Sequence, residues 1–450
     1  METCKNCRVI GWCEYCKVQS NKYSPSICGY CKTIKLLLCN ECENPNWSNW
    51  SSGNKIVDDF IKECNKPNEV LKWIPYNQFS EITYLAKGGF GEIYKAKWKG
   101  AYVVLKKLYD SQNITVDFLN EVKNYIQTME SNRKNCDTSF LTRFYGISYD
   151  SITQNFIMVT EYADKGDLKK NIMEPVEFTN YNFRDNDYYK FSTNKRIIFD
   201  IAQGLKIIHS SGLVHCDLHI GNILLRNQHQ MPICISDFGL SQPANISSSI
   251  KSSGIYGVIP YVAPEIFLGK PYTQASDIYS LGIIIWVLYS LEEPYNNRCH
   301  DANLILEIIV RGLRPEIPPQ LSIPNYIKEL MEKCWDSDPT NRPTAEQIIT
   351  MLKEGPNQPF LENSHRKKVC LLKIMNLIGN HPGTCYTSRF LSFQSVKEHL
   401  SRSTLEDSGK SNLSLPTSIN NDDFIRDFGD EIIALPTLPN TSVTSLPQNS

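Results

Sequence analysis

Alternating apolar and polar positions mark the first regular elements of the chain. Three short runs rich in Val, Ile, Thr, Tyr and Trp follow one another at 82–85, 92–98 and 101–106, and they predict adjacent β-strands. The glycine-rich stretch 86–91 lies between the first two runs and predicts a turn. A continuous apolar run at 156–163 predicts a further, buried strand that leads into a polar hinge.

Helical spacing appears before and after these strands. Within 54–66, Ile56, Phe60 and Cys64 fall at i, i+4 and i+8, which predicts a short amphipathic helix that packs against the next domain. A second helix is expected at 195–210, after a polar and aromatic loop insertion. The most apolar run, 281–291, is far shorter than the ~20 residues that span a bilayer, so it predicts a buried core helix.

Length and charge narrow the class of protein. A chain of 450 residues is expected to form two or three units. A net charge of -1 gives no electrostatic reason to expect nucleic acid or an anionic membrane as the main partner. The charged N-terminus lacks the apolar run of a secretory signal, so the predicted location is the cytoplasm, with the nucleus as an alternative. Thiols are reduced in both compartments.

The N-terminus is unusually rich in cysteine. Half of the 16 cysteines form four C-x-x-C pairs: Cys4 and Cys7, Cys13 and Cys16, Cys28 and Cys31, Cys39 and Cys42. Eight thiolates can close two tetrahedral Cys4 zinc sites, and the first histidine, His209, is too distant in sequence to contribute. Such a module, at 1–43, would depend on the metal for folding and is a candidate docking site for a protein partner.

The pairing within this module has more than one solution. Interleaving the first pair with the third, and the second with the fourth, leaves loops of about 20 residues, close to the usual zinc-ribbon spacing, and is the favoured arrangement. Sequential and nested pairings remain alternatives. So does a disordered or disulfide-bonded tail, while the short first gap and the missing histidine disfavour a ubiquitin-ligase RING.

Phosphoryl-transfer chemistry is indicated by the stretch 215–222 together with 237–239. Asp217 can lie beside a substrate hydroxyl, while Asn222 and Asp237 supply oxygens for the metal of a nucleotide. These residues resemble the catalytic loop and D-F-G motif of the eukaryotic protein kinases. The resemblance covers roughly 79–354 and implies an α+β, two-lobed fold with a β-rich N-lobe and a helical C-lobe.

The resemblance also assigns roles to individual residues. Lys106 would reach the ATP phosphates and pair with Glu121, Asp217 would act as base, and Asn222 and Asp237 would hold magnesium. The glycine loop would cover the phosphates, the backbones of Glu161 and Ala163 would bind adenine, and Asp167 would bind ribose. The full implied ATP-binding set comprises Leu85, Gly88, Gly91, Ile93, Val104, Lys106, Thr160, Glu161, Ala163, Asp167 and Leu224.

Besides the residues assigned to catalysis and ATP binding, other residues that match the family pattern are expected to support the catalytic loop. His215 would pack against Phe238, Asp277 would support the loop, and Arg342 would pair with Glu265 of the A-P-E motif.

Three positions depart from the family pattern. Cys216 replaces the arginine that often pairs with an activation-loop phosphate, so we hypothesise that activity does not depend on that switch. His219 replaces the lysine near the γ-phosphate, which implies modest turnover. Val258 replaces a threonine of Ser/Thr kinases, yet the run 257–265 and the 334–343 motif look most similar to the tyrosine-kinase-like group, whose members mostly phosphorylate Ser and Thr.

These observations give a full set of expectations. The zinc module at 1–43 precedes a linker with a short helix at 44–75, a kinase domain at 76–355 and a poorly structured tail at 356–450. The expected function is transfer of the ATP γ-phosphate to Ser or Thr of a protein substrate, with tyrosine or dual specificity left open. The alternative is a pseudokinase that acts as a nucleotide-binding scaffold.

Overall fold

The computed structural model describes ten stretches of the chain. They are 55–64, 71–87, 91–108, 116–131, 140–173, 193–226, 233–243, 254–317, 323–356 and 380–392. The eight predicted zinc ligands, Gly88 and most of the predicted linker and tail lie outside these residues. The chain divides into two compact units, one of Met1–Asp164 with Arg226–Gly239, the other of Lys165–Leu225 with Leu240–Ser450.

The first unit contains a five-stranded antiparallel sheet in the order β1-β2-β3-β5-β4. Its strands are β1 (Ser80–Lys87), β2 (Gly91–Trp98), β3 (Ala101–Leu108), β4 (Phe144–Asp150) and β5 (Asn155–Glu161). The four predicted strands are confirmed. Side chains alternate between the two faces of a strand, so Val103, Leu105 and Val159 form a buried core on one face, and the residues between them face the other way.

Two helices belong to this unit. In α1 (Lys55–Cys64) the predicted helix is confirmed; Ile61, next to the predicted stripe, is fully buried, and Phe60 of that stripe is partly buried. In α2 (Val116–Ser131) Phe118 is fully buried and its ring lies 6.0 Å from that of Phe156 on β5. The contact packs α2 against the sheet. The short strand β8 (Ile233–Ile235) also lies in this unit.

The second unit is mainly helical. Its helices are α3 (Leu168–Met173), α4 (Thr193–Ser210), α5 (Pro264–Phe267), α6 (Gln274–Ser290), α7 (Ala302–Val310), α8 (Asn325–Cys334) and α9 (Ala345–Glu354). The predicted core helix is confirmed as α6, which is buried on all sides and begins with a capping box between Thr273 and Ser276. Gly282 lies against α8, because an added Cβ would be 3.0 Å from that of Cys334. In the stretches that the structure describes, no helix is long and apolar enough to cross a membrane.

Short strands complete the second unit. They are β6 (Leu213–Val214), β7 (Ile223–Leu225), β9 (Gln242–Pro243), β10 (Gly254–Gly257) and β11 (Arg389–Ser392). β6 pairs with β9, and β10 pairs antiparallel with β11. The second pairing places a strand inside the segment 356–450 that is expected to be a poorly structured tail, through contacts of 389–392 with β10. Those contacts join residues far apart in sequence, so no local pattern could reveal them.

Candidate active site

In the first unit, Lys106 lies at the centre of a buried ionic cluster. Its Nζ is 2.9 Å from Oε1 of Glu121 and 2.7 Å from Oδ1 of Asp237. Strand β3 supplies the lysine and helix α2 the glutamate, which is only 2% exposed. The predicted pairing of Lys106 with Glu121 is therefore present.

Burial and neighbouring charges shift the pKa values of the groups in this cluster in opposite directions. Burial alone would lower the pKa of Lys106, but the carboxylates of Asp237 and Glu121 outweigh it and hold the pKa above its usual range. Burial raises the pKa of Glu121, although Lys106 acts in the opposite direction. Because the ammonium contacts two carboxylates, the lysine stays charged and is fixed in position for an anion such as a phosphate.

The segment around Asp237 is held by α2. Asp237 has a left-handed backbone with φ 64°, and its Oδ1 accepts a hydrogen bond of 3.2 Å from the Gly239 N–H. The ring of Phe238 lies 4.5 Å from that of Tyr125, and its carbonyl accepts a 3.4 Å hydrogen bond from Asn124. These contacts set the direction in which the Asp237 carboxylate points.

Most of the predicted ATP-binding residues of the first unit lie on strands. Ile93 on β2 is directly opposite Lys106, and Val104 on β3 is directly opposite Thr160, so these four side chains share one face of the sheet. The face is opposite the one that carries Val103 and the buried core. The remaining members of this unit lie at its borders: Leu85 is exposed on β1, Gly91 begins β2, and Glu161 and the buried Ala163 lie at the end of β5.

A buried ion pair that the sequence did not reveal holds Glu161. Nη2 of Arg226 donates to Oε2 of Glu161 at 2.7 Å and to the carbonyl of Leu141 at 2.9 Å. The Glu161 N–H donates to the Arg143 carbonyl, so a backbone contact from Glu161 to a nucleotide has to use its carbonyl. Arg226 directly follows β7, and no motif in its sequence neighbourhood marks it.

In the second unit, Asp277 of α6 organises the catalytic loop as predicted. Its carboxylate accepts hydrogen bonds from the backbone N–H groups of His215 at 2.8 Å and Cys216 at 3.0 Å. Nε2 of His209 lies 2.9 Å from the same carboxylate. Cys216 has φ 70°, and the Asp277 contact holds this left-handed conformation. Cys216 therefore takes part through its backbone.

Asp217 and Asn222 are joined within the same loop. Nδ2 of Asn222 donates to the Asp217 carbonyl at 2.8 Å and lies 3.4 Å from its Oδ2. His219 lies beside them, with Nε2 3.7 Å from Oδ2 of Asp217. Burial alone would raise the pKa of Asp217, but His219 and a hydrogen bond from Ser388 hold it below its usual range. Asp217 is thus an ionised carboxylate, as a base must be.

Ser388 is the residue at this site that sequence reasoning missed. Its Oγ lies 2.9 Å and 2.7 Å from the two carboxylate oxygens of Asp217 and 3.2 Å from Nε2 of His219. It immediately precedes β11, inside the segment assigned to the tail. A serine in a polar stretch carries no local signal for such a contact.

The other ATP-binding residues predicted in this unit, Asp167 and Leu224, form an isolated antiparallel bridge. Oδ1 of Asp167 also accepts the Lys170 N–H at 2.7 Å, at the start of α3.

The predicted pair of Glu265 and Arg342 is also present. It is bidentate, at 2.7 and 2.8 Å, and both residues are buried. Val258, at the third departure from the family pattern, is a buried side chain with 2% exposure. The described residues thus place Asp217, Asn222 and the contacts of Asp277 in the second unit, and the cluster around Lys106 in the first.

Comparison with known proteins agrees with this arrangement. Residues 79–352 match the protein kinase domain family, which is more than half of the chain. The chain therefore belongs to the protein kinase family. It has an α+β kinase domain in which a β-sheet unit and a helical unit carry the matched motifs.

Individual relatives are serine/threonine-protein kinases. An RGS domain-containing serine/threonine-protein kinase of Dictyostelium discoideum is 31% identical over 68% of this chain and 25% of its own length. A probable LIM domain-containing serine/threonine-protein kinase of the same organism is 27% identical, over 74% and 45% of the two chains. The serine/threonine-protein kinase VIK of Arabidopsis thaliana is 29% identical, over 61% and 60%. The chain thus spans between 25% and 60% of the length of these relatives.

Proposed function

We propose that the chain is an ATP-dependent protein kinase that phosphorylates Ser or Thr hydroxyls of protein substrates. The observation that carries this proposal is the Asp217 carboxylate, ionised and within 2.9 Å of a serine hydroxyl on both of its oxygens. This is the contact that a base makes with the hydroxyl it orients. The serine/threonine kinases among the relatives support the same specificity.

Each unit contributes a distinct part of the chemistry. Lys106, fixed by Glu121, binds nucleotide phosphates through its charged ammonium. Asp217 orients the acceptor hydroxyl and takes its proton. The acceptor oxygen then forms a bond to the γ-phosphorus, the bond from that phosphorus to the β,γ-bridging oxygen breaks, and ADP leaves.

The donor chemistry of Asn222 and Asp237 fits magnesium. Both offer hard oxygen ligands, which Mg²⁺ prefers. Asn222 uses Nδ2 for its bonds to Asp217, so its amide oxygen is the atom that would bind the metal. When bound, the ion neutralises charge on the phosphates as the phosphoryl group moves.

His219 occupies the position where the family resemblance expects a lysine. Its Nδ1 accepts the Gly221 N–H at 3.1 Å, so the proton of the neutral ring is on Nε2. The imidazole therefore donates one hydrogen bond at the acceptor site in place of an ammonium charge. A lower turnover than in a lysine-containing kinase is expected.

The test compares ATP-dependent phosphorylation of generic protein substrates by the wild type and Asp217→Asn. Loss of the base should lower turnover by about 10²–10⁴-fold, with mass spectrometry identifying the modified residue type. Asp59→Asn is the matched control, because Asp59 is exposed on α1. Equal turnover in wild type and D217N would contradict the kinase proposal and leave a nucleotide-binding scaffold as the explanation.

The N-terminal cysteines support a second, separate proposal. Eight thiolates in four C-x-x-C pairs would hold two structural zinc ions in a module that contacts a protein partner. One relative is named as containing LIM domains, which are zinc modules of this kind. Fewer than about two zinc ions per purified chain would contradict the two-site proposal. A cytoplasmic location agrees with thiols that bind metal.

A further inference from the structure

Residues 380–392 dock on the second unit and bring Ser388 to Asp217. β11 adds antiparallel to β10, with Ile255 opposite Leu391 and Gly257 opposite Arg389. Strand addition of this kind is a common mode of peptide recognition, in which the backbone supplies the affinity and side-chain pockets supply the specificity. The register places the residue before β11, Ser388, on Asp217.

The hydroxyl of Ser388 has the geometry of a phosphoryl acceptor. It donates to the Asp217 carboxylate and accepts from the protonated Nε2 of His219, at 3.2 Å. The second lone pair of Oγ is left to attack phosphorus. Gly257 lies beside this contact, since an added Cβ would be 3.0 Å from Val262 and in ordinary van der Waals contact, at 3.7 Å, with Oδ1 of Asp217.

Three side chains fix the register of the segment. Leu391 is buried at 1% exposure, and Nη2 of Arg389 donates to the His300 carbonyl at 2.7 Å. The rings of Tyr386 and His300 form a T-shaped pair with centroids 4.7 Å apart, and the Tyr386 hydroxyl donates to the Pro294 carbonyl at 3.1 Å. These side chains lie on both sides of Ser388, so a shift of one residue would displace all three.

The segment is also held at its N-terminal end. The His300 N–H donates to the Gly383 carbonyl at 3.0 Å, and the His381 N–H donates to the Asn296 carbonyl at 2.8 Å. Gly383 packs directly against Cys299, because an added Cβ there would collide with its Sγ. A side chain at this glycine should therefore release the segment without touching Asp217.

We propose that Ser388 is the first phosphoacceptor of this kinase, modified by the Asp217 of its own chain. The inference rests on the proposed function and names a substrate for it. The acceptor site would accordingly select a serine with an aromatic residue two positions before it, an arginine directly after it and an apolar residue three positions after it.

The reaction is balanced with ATP as the phosphoryl donor. A bond forms between Oγ of Ser388 and the γ-phosphorus, and the bond from that phosphorus to the β,γ-bridging oxygen breaks. The Ser388 proton passes to Asp217, and ADP leaves with the electron pair of the broken bond.

The experiment incubates the phosphatase-treated full chain with Mg-ATP and quantifies phosphorylation at Ser388 by mass spectrometry. A first-order rate that is independent of protein concentration over about a 100-fold range supports transfer within one chain, since a second-order reaction would scale with concentration. In the same mixture, a tagged D217N chain should remain unmodified at Ser388. Modification of the tagged chain at the same rate would overturn the proposal.

Two variants test whether phosphorylation of Ser388 depends on the docking of its segment or on the neighbouring hydroxyl. Thr387→Ala removes the neighbouring hydroxyl, which is exposed and bonds to Cys385, so Ser388 phosphorylation should continue. Gly383→Ala should lower Ser388 phosphorylation at least about tenfold, since the docked segment loses its effective concentration at Asp217. Equal Ser388 phosphorylation in G383A and wild type would overturn the proposal.

Exogenous substrate distinguishes this inference from the proposed function. The G383A variant should still phosphorylate a generic protein. If it does so while wild-type Ser388 stays unmodified, the Ser388 proposal fails and the kinase proposal stands. If neither substrate is modified, the kinase proposal fails as well.

Discussion

Two residues of the candidate site have left-handed backbones, Cys216 with φ 70° and Asp237 with φ 64°. Such conformations cost on the order of 1–3 kcal/mol each and persist only where surrounding contacts impose them. For Cys216 the contact is the Asp277 carboxylate, and for Asp237 it includes Lys106 and the Gly239 N–H. In each unit, contacts from neighbouring residues therefore hold the backbone of one candidate-site residue in this conformation.

This dependence leads to a prediction for Asp277. Asp277→Ala removes the acceptor of the His215 and Cys216 N–H groups, so the loop should relax and turnover should fall at least about tenfold. Cys216→Ala is the control, because the backbone of Cys216 makes the contact. Its turnover should stay within about threefold of wild type, and kinase assays on both variants check the expectation. Equal losses in the two variants would contradict it.

Among the helices and strands, buried and exposed ion pairs have different consequences. Arg342 binds Glu265 bidentately in the interior, and it also donates to the Ala275 carbonyl of α6 at 2.9 Å. Lys206 on α4 pairs with Glu346 on α9 at a similar distance of 2.8 Å, but both side chains are exposed. The same pairing chemistry thus occurs in two dielectric environments.

Arg342→Ala should lower the free energy of unfolding by about 3–5 kcal/mol, because it leaves the Glu265 carboxylate buried without its partner. Lys206→Ala should change it by less than about 1 kcal/mol, since water screens an exposed pair. Denaturant unfolding of both variants measures the difference. Similar losses would mean that burial does not set the strength of these pairs.

The docking of β11 should depend on pH through His300. Burial lowers the pKa of His300 by more than its hydrogen bonds to the backbones of Cys385 and Tyr295 raise it, and the Arg389 guanidinium also lowers it, so the docked state favours the neutral ring. An undocked histidine has a pKa near about 6.5. Docking is therefore strongest above that pH and weakens as the pH falls below it, because the undocked state binds more protons.

Hydrogen exchange of 380–392, corrected for intrinsic rates, should be faster at low pH than at neutral pH. His300→Gln removes the titrating ring and should flatten this dependence. Asp217 and His219, which contact Ser388, are unchanged in that variant. A pH dependence of the same size in H300Q would assign the effect to them and contradict the role of His300.

For the whole molecule, the docked segment means that substrate and enzyme are parts of the same chain. A phosphoserine carries about -1.5 to -2 charges at neutral pH, and at Ser388 it would lie against the Asp217 carboxylate. Repulsion between these groups should expel the segment once transfer is complete. The acceptor position would then open to other proteins.

Hydrogen exchange on the whole chain tests this release. After incubation with Mg-ATP, exchange in 380–392 should rise in the wild type and remain unchanged in Ser388→Ala. Exchange in α6 serves as the internal reference, because this helix is buried on all sides. Faster exchange in S388A as well would show that nucleotide binding, not the phosphate, displaces the segment.

The sequence by itself indicated phosphoryl-transfer chemistry and predicted seven of the helices and strands named above: β1, β2, β3, β5, α1, α4 and α6. Short motifs in a fixed order contain the five residues assigned to the chemistry, Lys106, Glu121, Asp217, Asn222 and Asp237. The strands and α6 follow from local hydrophobic patterns. The pairs that these motifs imply, Lys106 with Glu121 and Arg342 with Glu265, lie at hydrogen-bond distance.

Only the tertiary structure decided which distant residues meet. The ion pair of Arg226 with Glu161, the burial of Ile61 and the position of Ser388 on Asp217 depend on contacts between residues far apart in the chain or on packing by a neighbouring element. Local periodicity contains no information about such contacts, because a polar segment reads the same whether water or an active site satisfies its hydrogen bonds. For that reason, only the tertiary structure shows that the segment 380–392 is docked.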